Sequence, residues 1–135
     1  MPVIQLLDEE TATNGAPSAA TDGVAVKAIC DRAAVVLKST AGSGTMTVTL
    51  KLWGYYDAMA AWAPIGVHAT AATKGVLNAG NAIGETGADS LRHAEVVSGL
   101  LRASRLYLEV AAIGGTATAV SAWADLVPVG AVTAG

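Results

Sequence analysis

"TMTVTLKLWGYYDAMAAWAPIG", residues Thr45–Gly66, carries the pattern on which the fold turns. Met46, Val48, Leu50 and Leu52 occupy every second position, and Thr45, Thr47, Thr49 and Lys51 fill those between. Successive side chains of an extended chain point to opposite faces, so the stretch reads as a strand with one apolar and one polar side. A polar kink at Tyr56–Asp57 and a second apolar run reaching Trp62 and Ile65 make it a hairpin. The alternation returns in "SRLYLEVAAIGGTATAVSAWADLV", where Leu106, Leu108, Val110 and Ala112 share one face and Arg105, Tyr107 and Glu109 the other. Gly114–Gly115 has the composition of a tight hairpin turn, whose central residues need positive φ. Leu50, Leu52, Leu106, Leu108 and Val110 are the expected core.

Working outward, "GVAVKAIC" and "AAVVLKS" read as further strands joined by a bend at Asp31–Arg32, and "TAGSG", Thr40–Gly44, as a turn. Val3–Leu7 is a short strand. A weak strand near Val76 precedes a loop, Asn78–Asp89. For Asp89–Leu101 a strand is expected, the alternative being a helix capped by Asp89 or Ser90; Val96–Val97 and Ser98–Gly99 suit a helix interior poorly. Pro128 marks an edge or a tail. About eight short strands separated by turn signals predict an all-β, single-domain antiparallel β-sandwich with jelly-roll-like wiring. The expected organisation is an N-terminal strand and extended arm over 1–22, the sandwich over 23–132 and a tail over 133–135.

Composition bounds the function. The chain has 135 residues and is 53% hydrophobic, but 29 of those residues are Ala, Phe is absent and aromatics total 4%. Such thin, Ala-rich and β-branched layers suit stacked sheets. A net charge of −3 with scattered Lys and Arg gives no basic field for nucleic acid. The start lacks the basic and apolar regions of a signal peptide, and no apolar run approaches the ~20 residues of a membrane span. A soluble protein, with no membrane partner and made in a reducing cytoplasm, is the expectation.

Reactive side chains are sparse. Cys30 is alone, which rules out an intramolecular disulfide and a thiolate metal cluster; a small buried hydrophobe is expected there. "GNAIGETG", Gly80–Gly87, has glycines near phosphate-loop spacing, but Glu85 stands where such a loop needs lysine. His68 and His93 are 25 residues apart, without metal-ligand spacing or a Gly-x-Ser-x-Gly elbow. Asp57, Glu85, Asp89, Glu95 and Glu109 could supply a glycosidase pair, yet nothing in the sequence pairs any two. No catalytic, cofactor-binding or metal site is expected, and the protein is expected not to be an enzyme.

The ordering of "TVTLKLWGYYDAMAAWAPIG" and "SGLLRASRLYLEVAAIGGTATAVSAWADLVPV" resembles that of small β-sandwich virion proteins of tailed bacteriophages, the capsid cement or decoration proteins. The likeness lies in a strand with a Trp-bearing return, an "RLYLEV" strand, a Gly-Gly-Thr turn and a final Trp strand, over about 50 of the residues. It implies a jelly-roll-like fold, no catalysis, no cofactor, location on the capsid surface after synthesis in the host bacterial cytoplasm, and a homodimer or trimer clamping major capsid protein subunits. It carries no fixed functional residues. From the residues themselves, Asp8–Asp22 has no large apolar side chain to hold it to a compact body. The arm is therefore either a linker joining strand Val3–Leu7 to the body or a segment that orders on neighbouring subunits, with Val3, Ile4, Leu6 and Leu7 as its anchor. The alternative function is a carbohydrate- or receptor-binding module of a phage tail or fibre, with Trp53, Tyr55, Tyr56, Trp62 and Tyr107 as a stacking platform.

Overall fold

In a computed structural model the described residues are 2–65, 72–86, 90–100 and 102–128. They form an all-β antiparallel sandwich of seven strands: β1 (Val3–Glu10), β2 (Val24–Ala25), β3 (Cys30–Tyr56), β4 (Ala61–Pro64), β5 (Ile83–Thr86), β6 (Ser90–Ser98) and β7 (Arg105–Pro128). Two of them dominate. β3 and β7 pair along nearly their whole lengths, from Cys30↔Pro128 to Tyr55↔Arg105.

This long ladder folds over on itself, so each strand serves both layers. The first layer runs β6, β3 (Arg32–Thr40), β7 (Ala119–Val127), β1. The second sets β3 (Thr45–Tyr56) against β7 (Arg105–Gly115), with β4 and β5 on the β3 side and β2 on the β7 side. The inward side chains of both layers meet in one core, which includes Val35, Leu37, Leu50, Leu52, Leu106, Leu108, Val110, Val120 and Leu126. All five residues of the expected core are at most 1% exposed.

The glycine-rich pairs do not reverse the chain. Thr40–Gly44 and Gly114–Gly115 were expected as turns, but β3 and β7 run straight through them. Between Ala41↔Ala117 and Met46↔Gly115 the register shifts by three residues, the surplus lying on β3, which therefore takes the outer track round a corner. Inward positions on β3 accordingly change from odd (Ala33, Val35, Leu37) to even (Met46, Val48, Leu50), keeping one face on the core. Gly115 has φ 69°, and a Cβ there would lie 1.9 Å from the Thr45 carbonyl oxygen. Glycine is required, for close approach of two backbones rather than for a hairpin.

The β3–β4 hairpin does reverse, through Asp57–Ala60, with Tyr55 opposite Trp62. Ser90–Ser98 is a strand, not a helix. β1 is an edge strand of the first layer, and Leu7 is buried in the core, so the N-terminal strand belongs to the body of the sandwich. Tail residues 133–135 lie outside the described residues. No helix among the described residues is long and apolar enough to cross a membrane.

Candidate interaction surfaces

The titratable candidates are dispersed. Cys30 is 1% exposed at the start of β3; burial pushes its thiol pKa up, and the neighbouring Asp31 charge adds to that. Asp57 accepts a hydrogen bond from the Ser104 hydroxyl at 3.0 Å in the β3–β4 turn. Glu109, opposite Lys51, accepts from the Trp53 indole at 2.9 Å. Asp57 lies six residues along β3 from Lys51, about 20 Å at the rise of a strand, so these two carboxylates cannot flank one glycosidic bond. His93 Nε2 and Glu95 Oε1 are 2.7 Å apart on β6, and Glu95 also accepts from the Asn78 backbone N–H at 2.8 Å. Glu85 pairs with Met46 on β5. The segment Asn78–Gly80 is a single 3-10 turn leading into that strand, and among the described residues the next element is β6, not a helix whose N-terminus could receive a phosphate. His68 and Asp89 lie outside the described residues. Among those described, no three His, Cys, Asp or Glu side chains converge as a metal site.

The outer face of the second layer is aromatic. Trp62 meets Tyr55 edge-to-face at 5.4 Å and Tyr107 at 6.1 Å, and the Lys51 ammonium sits 4.6 Å from the Trp53 ring centroid. Of the expected platform residues, Tyr56 alone departs: its hydroxyl donates to the Leu100 carbonyl, and burial pushes its pKa up. The polar tips of Trp62 and Tyr107 hold the N-terminal arm. Trp62 Nε1–H donates to Ala19 O at 2.9 Å and the Tyr107 hydroxyl to Gly15 O at 3.0 Å. The Arg105 guanidinium donates to the carbonyls of Thr21, Asp22 and Gly23. Asp22 in turn accepts from the Ser18 and Ala19 N–H groups, both at 2.9 Å, and these two hydrogen bonds hold its pKa below the usual carboxylate value.

The arm is thus bound to its own sandwich by polar contacts, correcting the expectation that it has nothing to hold it. Apolar content was the wrong criterion; the informative residues were Asn14, which hydrogen-bonds β7, and Asp22, which closes a local turn. The anchor is corrected as well. Leu7 is buried, Ile4 and Leu6 pack against the core, and of the four only Val3, 58% exposed, remains free to meet another surface.

The outer face of the first layer is different in kind. The ladder aligns Val96, Ala34, Asp125 and Val3 in one row and Ala94, Val36, Trp123 and Gln5 in the next. Val96 is 69% exposed, and Lys38 lies 5.6 Å from the Trp123 ring centroid. The small apolar side chains Ala34, Val36, Ala94 and Val96 lie together on this face, between a row with Arg32 and a row with Lys38 and Arg92. In its middle, Asp125 Oδ1 is shut off from solvent and has no hydrogen-bond partner among the described residues. Buried polar atoms are ordinarily satisfied, and leaving one unmet costs free energy. Sequence reading did not single out Val36, Val96, Trp123 and Asp125 as a surface, although the unbroken apolar run "AAVVL", Ala33–Leu37, signals a strand with two apolar faces.

No family model, curated protein or solved structure significantly matches this chain.

Proposed function

We propose that this chain is a non-enzymatic virion structural protein, a decoration protein that binds the outside of a phage capsid as a homodimer and stabilises the shell by clamping major capsid subunits. The observation that carries this reading is the outer face of the first layer. A face that leaves Ala94, half-buried Val36 and the 69%-exposed Val96 in water beside Trp123 is unfavourable there and favourable against a protein surface. The resemblance of the two strand–Trp segments to cement proteins points the same way. Synthesis would be in the bacterial host and residence on the capsid surface.

Co-sedimentation of the purified protein with undecorated capsids tests it. Saturable binding that Val36→Glu abolishes is expected, because Val36 lies at the centre of the face. Absence of any saturable binding would overturn the reading. The second reading, a carbohydrate- or receptor-binding module, is favoured by the row of Trp53, Tyr55, Trp62 and Tyr107. Against it, the Trp62 and Tyr107 polar groups are already spent on the arm. A glycan-binding screen separates the two.

A further inference from the structure

β6 is an edge strand. Among the described residues its backbone pairs with β3 alone, and no other backbone hydrogen bond reaches Ser90–Ser98. Free edges invite pairing with other chains, and proteins protect them with inward-pointing charged residues. His93 and Glu95 are such residues: each is partly buried on the inner side of β6, and they contact each other at 2.7 Å. Their order along the strand has a further consequence.

We propose that β6 pairs antiparallel with β6 of a second copy, about a two-fold axis through Ala94, joining two four-stranded first layers into one continuous sheet. The inference refines the self-association included in the decoration reading. In this register His93 faces Glu95 of the second copy and Glu95 faces its His93, so an imidazole and a carboxylate, a hydrogen-bonding pair, meet twice. Leu91, 1% exposed, and Val97, 8% exposed, stand opposite each other and extend the two cores. Arg92 falls opposite Val96 on the outer side, and Ser90 opposite Ser98.

Other registers are worse. Moving the axis to Glu95 sets two glutamates against each other, and moving it to His93 sets two histidines together with Leu91 against Glu95. Registers shifted by an odd number would oppose inward to outward side chains and break the common face. The polar side chains that deter foreign strands therefore admit a second copy of this one.

The outward pair Arg92–Val96 supplies a test with opposite signs. Val96 is exposed, so both Val96→Lys and Val96→Asp leave the monomer folded. Across the two-fold, lysine meets Arg92 of the other copy twice, whereas aspartate meets it twice with the favourable sign. Sedimentation velocity of the full chain at tens of micromolar is expected to show a dimer, with the dissociation constant raised on the order of tenfold by Val96→Lys and lowered on the order of tenfold by Val96→Asp. A wild-type monomer, equal weakening by both variants, or no effect of either overturns the pairing. Because the readout is the free protein's mass, it is independent of capsid co-sedimentation: capsid binding by a monomeric wild type would refute the strand pairing and leave the decoration reading intact.

Discussion

Asn14 completes the ladder of β7 beside Val110. Its side-chain carbonyl accepts the Val110 N–H at 2.7 Å, and its amide donates to the Leu108 carbonyl at 3.2 Å. One amide thus does for the edge of β7 what a neighbouring strand would do, using the donor and acceptor that an asparagine carries. With Arg105 and Tyr107 from the same strand, it converts a polar, flexible composition into a strap over the second layer.

Replacing Asn14 by Ala removes both bonds and leaves the Val110 N–H without its partner. Global stability should fall by about 1–2 kcal/mol. The larger effect is local: residues 11–22 should become much more sensitive to limited proteolysis while the body resists. Unchanged cleavage of the arm would mean that Asn14 does not hold it.

In the core, Leu108 is 1% exposed and faces Leu52 across the central ladder. Leu108→Ala should cost about 2–5 kcal/mol in urea denaturation, the range for a buried leucine that leaves a cavity. A loss below about 0.5 kcal/mol would place the side chain outside the core.

Glycine positions distinguish a corner from a turn. At Gly115 a methyl group would collide with the Thr45 carbonyl, whereas at Gly15, φ 76°, nothing lies within 4 Å. Gly115→Ala should therefore destabilise by upwards of about 2 kcal/mol, and Gly15→Ala by about 1 kcal/mol from backbone conformation alone. Thermal unfolding of the two variants measures the contrast. Equal losses would remove the case for a backbone clash at the corner.

These residues also explain what was legible in the sequence. The period-2 pattern around Leu50 and Leu108 depends only on burial of one face, and it located the core and the all-β class directly. The wiring depends on whether Gly42, Gly44, Gly114 and Gly115 reverse the chain or let two strands bend together. A glycine serves both purposes, and the difference lies in a partner strand about 70 residues away. The arm differs from its expectation for a related reason: apart from Asn14, its grip comes from side chains on β7 and β4 that its own composition does not reveal. The outer face of the first layer could be glimpsed in its apolar runs, but an unmet Asp125 oxygen becomes visible only in the folded chain.

Asp22 predicts a response to acid. Its folded-state pKa is lowered, chiefly by the Ser18 and Ala19 N–H groups, from an ordinary value of 3.8. The carboxylate form is thus favoured in the folded state, so its contribution is complete above pH 3.8 and is lost as pH falls through the lowered value. Amide exchange at Ser18 and Ala19 should accelerate selectively over that acidic range, and Asp22→Asn should accelerate it already at neutral pH. An acid response at these amides that persists in Asp22→Asn would assign it to another group.

Asp125 offers a trade between stability and binding. Its Oδ1 has no partner, and its cross-strand neighbours are Ala34 and Val3, neither of which has a polar side chain to offer it. In the free protein, Asp125→Ala removes an unsatisfied buried acceptor at a position already surrounded by small apolar groups. Stability should rise by about 1 kcal/mol, the lower end of the cost of an unmet polar atom. In the proposed capsid complex the same change removes a half-buried carboxylate from the face that would meet the shell, so capsid binding should weaken while the fold strengthens. Urea denaturation and co-sedimentation of one variant read both sides. A variant that is less stable and binds unchanged would show that the carboxylate is satisfied in the free protein and plays no part in the interface.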